Sequence, residues 1–136
     1  MNRELKSYID AEIPQLSGYP RLLRPLALRR IRRYQPSYDA VYMLRYSLLF
    51  AGNGNLFQRR RAKEYKRLLV RRYGVYFSAG ADSAIGKGLK LPHPTSIVIG
   101  AGVKIGDNCV IYQNVTVGGA RRGEAAQGKY LSLIHI

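Results

Sequence analysis

From Ile85 onward, aliphatic residues recur at intervals of six, and this repeat constrains the fold more than any other feature of the chain. The first set consists of Ile85, Leu91, Ile97, Val103, Cys109 and Val115, and a second set, offset by two residues, consists of Ile99, Ile105, Ile111 and Val117. Side chains of an extended chain alternate between two sides, so a unit of six returns its aliphatic residue to the same side. A hexapeptide period is typical of a parallel β-helix, which we therefore expect here.

Details of the repeat predict its corners. The offset between the two sets falls at residues 93–97, which indicates a loop or an irregular corner there. Cys109 holds a place in the first set, so we expect a small core residue and not a nucleophile. Asp107 and Asn108 suit a turn. Glycines that follow the aliphatic residues are expected to be structural: Gly86, Gly100 and Gly106.

The first half of the chain predicts helices. Four segments rich in Leu, Arg, Ala and Lys are separated by proline and glycine, and they cover residues 3–12, 21–34, 38–51 and 56–73. In the last of them Tyr65, Leu68, Leu69 and Tyr73 form an apolar stripe. We expect an α+β protein with a basic helical region at residues 1–74, an incomplete β-helix region at 75–130 and, at 131–136, a tail whose sequence does not belong to that pattern.

The positive charge lies mostly in the helical half. The chain carries a formal net charge of +15, and residues 1–75 contain 17 Lys or Arg but only 5 acidic residues. These basic residues either attract an anionic partner or simply lie on helix faces exposed to solvent. The arginines flank aliphatic and tyrosine stripes and form no groove-reading motif, so an anionic membrane surface is favoured over nucleic acid.

Several classes of protein are disfavoured by the sequence. The first residues lack the apolar stretch of a secretory signal, and the longest apolar run, at residues 40–51, contains Arg45 and is shorter than the roughly 20 residues of a spanning helix. We therefore expect a cytoplasmic protein. Peripheral attachment to the inner membrane surface is the alternative. One cysteine and two histidines are too few for a metal cluster, so no metal is expected.

Within this repeat region the sequence resembles a known enzyme family. The stretch IGKGLKLPHPTSIVIGAGVKIGDNCVIYQNVTVGG, at residues 85–119, is similar to the left-handed β-helix of serine acetyltransferases and of related acetyltransferases from capsule and exopolysaccharide gene clusters. It covers about a quarter of the chain. The histidine after IGKGL, the following IVIG and the closing QNVTVGG carry the resemblance. The basic lead-in that ends in RRYGVYF is similar to that of the polysaccharide-cluster members.

The resemblance implies an acetyl-CoA-dependent O-acetyltransferase that works as a homotrimer with active sites between subunits. His93 would be the catalytic base, since an imidazole can take a proton from an alcohol as it attacks a thioester. The family's VTLGG-type segment implies that Thr116, Gly118 and Gly119 contact acetyl-CoA. Serine O-acetyl transfer is the expected activity. The alternatives are sugar O-acetylation in capsule or exopolysaccharide biosynthesis, or a non-catalytic trimeric binding or scaffold protein.

Departures from the family pattern concern the acceptor. Serine acetyltransferases place an aspartate directly before the histidine, where this chain has Pro92. They also use a carboxylate about one coil earlier to orient the imidazole, and an ungapped count puts Ser78 there, with Asp82 close by. A second family histidine would fall near Lys129 or Tyr130, and Tyr130 is not a base at neutral pH. These differences leave the choice between serine and sugar open.

The last residues do not follow the repeat. LSLIHI, at residues 131–136, breaks the six-residue series and is similar to a translated sequencing adaptor. Residues 85–119 supply only about two coils, whereas stacked repeats need roughly three or more units. We therefore expect a truncated β-helix that is inactive or poorly soluble on its own.

Overall fold

A computed structural model describes residues 2–78, 83–118 and 131–134. The helices among them are α1 (Arg3–Glu12), α2 (Arg24–Tyr34), α3 (Pro36–Asn53) and α4 (Leu56–Tyr73), with a 3₁₀ turn at Pro14–Gly18. The strands are β1 (Tyr76–Phe77), β2 (Ala84–Ile85), β3 (Val98–Ile99), β4 (Lys104–Ile105), β5 (Val115–Gly118) and β6 (Leu131–Ile134).

Local capping explains where α1 and α4 begin and end. The Asn2 side chain accepts a hydrogen bond from the Glu4 N–H, and Asn55 and Gln58 cap the start of α4 reciprocally. Helix α4 ends where Gly74 adopts a left-handed conformation with φ of 63°, which glycine tolerates. Both helices have the predicted bounds. None of the helices within the described ranges combines the length and apolar character needed to cross a membrane.

The bounds of α2 and α3 differ slightly from the predicted ones. Helix α2 begins at Arg24, because residues 21–23 form a turn. Helix α3 begins at Pro36, two residues earlier than expected, because proline fits the first turn of a helix. Only Gln35, whose backbone is extended, separates the two helices.

The strands do not form the expected β-helix. Among the described residues they make one sheet of order β1-β3-β5-β6 and a second sheet with only β2 and β4, and neither sheet is closed or forms a solenoid. The pairs β1–β3, β3–β5 and β2–β4 are parallel, whereas β6 pairs with β5 in antiparallel fashion. The prediction of a left-handed parallel β-helix is therefore wrong for this structure.

The burial predicted from the six-residue spacing is nevertheless confirmed. Leu91, Ile97, Ile99 and Val103 are fully buried, while Cys109 is half-buried and packs against the same cluster. This cluster also contains residues of α3 and α4, among them Ala40, Met43, Leu44, Tyr65 and Leu69. A period of six indicates only that the aliphatic side chains share one side of the chain. Here two helices contribute to the core on that side, which explains how the spacing can occur without a solenoid.

A buried arginine joins the helices to the strands. Arg45 of α3 donates from Nε to Glu12 Oε1 at 2.7 Å and from Nη1 to the Ile85 carbonyl at 2.6 Å, and its Nη2 donates to the Gly86 carbonyl. Both charged side chains are almost completely buried. Burial raises the pKa of Glu12, and the hydrogen bond and charge of Arg45 oppose that shift.

Candidate active site

His93 lies on the irregular corner that the sequence predicts. Pro92 and Pro94 flank it, and because Pro94 is buried while His93 is exposed, the imidazole points away from the core. The Thr95 N–H donates to the His93 carbonyl at 2.7 Å, which closes a tight turn. Ser96 follows with a φ of 52°. The corner is therefore a defined backbone structure, and the histidine ring is its exposed feature.

Two neighbouring segments hold this corner in place. The Ser96 N–H donates to the Tyr73 carbonyl at the end of α4, at 3.2 Å. The Asn114 N–H donates to the Thr95 carbonyl at 3.0 Å, so the chain that leads into β5 runs beside the corner. These bonds connect the corner both to the helices and to the main sheet.

A cleft of about 490 Å³ opens in front of His93. One wall is the corner itself, residues 92–95, and the other is residues 34–37, where α2 ends and α3 begins. The C-terminal end of α2 and the N-terminal end of α3 both lie at this wall, so their opposite dipole ends offset each other. Among the described residues that line the cleft, His93 and Tyr34 are the only ones with ionisable side chains.

Two residues were expected to orient the imidazole, Ser78 and Asp82, and only Ser78 lies within the described residues. Ser78 follows β1 and is exposed; its N–H donates to the Ile99 carbonyl at 2.8 Å, and no hydrogen bond joins its hydroxyl to His93. Asp82 lies outside the described residues. Within the described ranges, no side chain or carbonyl accepts a hydrogen bond from the His93 ring. The orienting role of these two residues stays a prediction.

The residues expected to contact acetyl-CoA lie on β5 or follow it. Thr116 is exposed and pairs with Val98 across the sheet. Gly118 is buried, and a Cβ placed on Gly100 would lie 3.3 Å from the Gly118 Cα, so these two backbones approach each other closely. Gly119 lies outside the described residues. The described half of the glycine pair thus serves contact between strands.

The opposite wall of the cleft could not be recognised in the sequence. Residues 34–37 lie more than fifty positions before His93, and no spacing in the sequence relates them to it. The available signal is Pro36, which ends one helical segment and starts the next. It places a corner between helices, but it does not show what that corner faces.

No protein-family model, curated protein or solved structure matches this chain significantly. The resemblance to acetyltransferases thus depends on the residues quoted for it, and the activity it implies stays a prediction.

Proposed function

We propose that this chain transfers an acetyl group from acetyl-CoA to an acceptor hydroxyl, with His93 as the general base. The observation that carries the proposal is the exposed imidazole on a hydrogen-bonded corner, facing a cleft of about 490 Å³. Histidine is suited to this role because its ordinary pKa is close to neutral. The acetyltransferase-like sequence around it supplies the reaction class.

The reaction transfers a proton twice, first from the acceptor hydroxyl to His93 and then from His93 to the sulfur of coenzyme A. A neutral imidazole nitrogen takes the hydroxyl proton as the acceptor oxygen attacks the thioester carbonyl. The tetrahedral intermediate carries its negative charge on the former carbonyl oxygen, which backbone N–H groups can stabilise. Collapse breaks the carbon–sulfur bond, the imidazolium returns the proton to the sulfur, and the products are an acetyl ester and free coenzyme A.

The lining of the cleft favours a neutral acceptor, such as a sugar hydroxyl, over free serine. Serine carries an ammonium and a carboxylate, which usually pair with opposite charges, whereas the hydroxyls of a sugar can pair with neutral polar side chains such as Gln35, Ser37 and Thr95. The described residues around the cleft include no Asp, Glu, Lys or Arg. Pro92, in the place where serine acetyltransferases carry an aspartate, agrees with this preference.

Release of free thiol from acetyl-CoA, measured with a thiol-reactive dye, tests the proposal. The chain is incubated with acetyl-CoA and with serine, a panel of simple and nucleotide-activated sugars, or polysaccharide fragments. The expectation of an inactive chain depended on a truncated β-helix, which the described residues do not form. We therefore expect thiol release that depends on a sugar acceptor, together with an acetylated product seen by mass spectrometry. Release that depends on serine alone would favour the serine O-acetyltransferase alternative, and no acceptor-dependent release would leave the non-catalytic scaffold function.

A further inference from the structure

A second, larger cavity lies among the helices and does not include the His93 corner. This helical groove has a volume of about 1140 Å³ and is lined by residues from α1, α2, α3 and α4. Aromatic rings pack together along it. The centre of the Tyr46 ring lies 5.1 Å from that of Tyr65, with the rings edge to face, and 4.7 Å from that of Phe50. The groove therefore has an aromatic lining that can accept an apolar group.

The groove is also strongly basic. Eight of its lining residues are Lys or Arg, and only two are acidic. One of those acids, Asp39, already accepts bonds from Arg32 Nε at 2.8 Å and Tyr73 at 3.0 Å, and its carboxylate lies 3.6 Å from Arg72 Nη1. Arg29, by contrast, makes no ion pair with any described residue. The groove thus retains positive charge that its own acids do not neutralise.

Two guanidinium groups are held in position before any ligand arrives. The Arg32 guanidinium stacks 3.8 Å above the centre of the Tyr42 ring while it bonds to Asp39. Arg61 donates to the Tyr65 hydroxyl at 3.3 Å. A guanidinium whose plane is fixed offers paired N–H donors to a phosphate, and the entropy lost on binding is smaller.

Large apolar side chains are exposed close, in sequence or in space, to arginines that line the groove. Leu22 is 89% exposed and Leu26 66%, and both belong to the segment whose Arg21 and Arg24 line the groove. At the start of α4, Phe57 is 68% exposed, with Arg61 6.0 Å from its ring centre. Exposed apolar residues that alternate with basic ones are typical of helices lying in a membrane interface.

We propose that the helical groove binds the phosphate headgroup of an anionic membrane lipid, while the exposed leucines and Phe57 enter the bilayer interface. Charge complementarity favours a phosphate as the group bound. The exposed Leu22 and Leu26 favour a lipid over a nucleic acid, because only a lipid has acyl chains for aliphatic side chains to contact. This site is separate from the His93 cleft, so its test does not depend on acyl transfer.

Co-sedimentation of the full chain with vesicles is the first test. Vesicles of phosphatidylcholine alone are compared with vesicles that also contain phosphatidic acid, at several salt concentrations. We expect binding to the anionic vesicles that weakens as salt rises, and little binding to the neutral ones. Equal binding to both compositions, or binding to neither, would overturn the proposal.

Adjacent arginines on the same helices provide matched variants. Arg29 and Arg61 line the groove, whereas Arg30 and Arg60 are exposed on α2 and α4 outside it. We expect Arg29→Gln/Arg61→Gln to lower the partition coefficient on anionic vesicles by about tenfold or more, and Arg30→Gln/Arg60→Gln to lower it clearly less. Equal losses would mean a diffuse charge effect and no groove site. Arg29→Lys/Arg61→Lys keeps the charge but loses the paired guanidinium donors, so with the fold intact by circular dichroism it should bind more tightly than Arg29→Gln/Arg61→Gln and less tightly than the wild type.

Two further ligands distinguish the source of the phosphate. Short-chain phosphatidic acid below its micelle concentration should bind the wild type and not Arg29→Gln/Arg61→Gln, and inorganic phosphate should compete only weakly. Leu22→Ser/Phe57→Ser should lose vesicle binding while it keeps the short-chain lipid. Saturation by inorganic phosphate alone, or tight binding to a DNA or RNA duplex without vesicle binding, would contradict a lipid site.

Discussion

Arg45 and Glu12 form an ion pair inside the protein, with 2.6 Å between Arg45 Nη2 and Glu12 Oε1 and both side chains at most 2% exposed. The same guanidinium donates hydrogen bonds to the carbonyls of Ile85 and Gly86. One side chain therefore links α1, α3 and the end of β2.

Removing the guanidinium should destabilise the fold strongly. In Arg45→Met the Glu12 carboxylate and two carbonyls lose their partner, and removal of one member of a buried pair typically costs about 3–5 kcal/mol. Glu12→Gln/Arg45→Met should recover part of that loss, because no buried charge is left unpaired. Urea denaturation measures both. Arg67→Met, which removes an exposed pair with Glu64 on α4, is the control and should change stability little.

Gly86→Ala should be destabilising, whereas Gly106→Ala should not. A Cβ on Gly86 would lie 2.5 Å from Asp107 Oδ1 and 2.6 Å from backbone atoms of Asp107 and Gly106, so the backbone must move. We expect a loss of about 1–3 kcal/mol. A Cβ on Gly106 meets no atom within 4 Å, and its φ is not positive. Thermal unfolding of the two variants checks this, and equal effects would contradict the observed packing of these two turns.

Tyr73 should ionise unusually late. Burial, with the charge and hydrogen bond of Asp39, raises the pKa of Tyr73 to about 12 from an ordinary value of 10.0. Ultraviolet titration of Tyr73→Phe should lack one late ionisation step that the wild type shows.

The same pKa predicts how stability depends on pH. The folded state holds the Tyr73 proton more tightly than the unfolded state, so the contribution of Tyr73 is fully present below pH 10 and is lost as pH rises toward 12. Urea midpoints measured above pH 10 should therefore fall more steeply for the wild type than for Tyr73→Phe. Equal slopes would show that the hydroxyl is not held as described.

Replacement of His93 tests the proposed base directly. His93→Gln should lower acetyl transfer by about 10²–10⁴ and leave the circular dichroism spectrum unchanged, because the ring makes no hydrogen bond to the described residues. The other histidine of the chain provides the matched control, His135→Gln, which should retain activity. Added imidazole should restore part of the activity of His93→Gly. Full activity of His93→Gln would exclude this residue as the base.

Local signals in the sequence were sufficient for the helices and for the buried side of the strands. Asn55 and Gly74 mark the ends of α4 through capping that depends only on neighbouring residues. The spacing of Leu91, Ile97 and Val103 marks an apolar side in the same way. Both signals act within a few residues, which is why they can be read without knowledge of the fold.

Features that depend on distant residues were not predictable. The repeat did not specify what covers its apolar side, so a solenoid was expected where α3 and α4 contribute to the core. The wall of the His93 cleft at residues 34–37 depends on how two distant segments meet. Arg45 was visible as a charge within an apolar run, but its partners Glu12 and Ile85 lie 33 and 40 positions away.

The bonds from Arg45 to the carbonyls of Ile85 and Gly86 also set an order of events on the ribosome. A chain emerges from its N-terminus, so α1 to α4 leave the exit tunnel before residues 85 and 86 exist outside it. During that interval the guanidinium can pair with Glu12 but not with its other two acceptors. The Arg45 guanidinium therefore gains its full set of partners only when residues 85 and 86 emerge, and a pause in translation before that point prolongs the time in which two of its donors lack their acceptors.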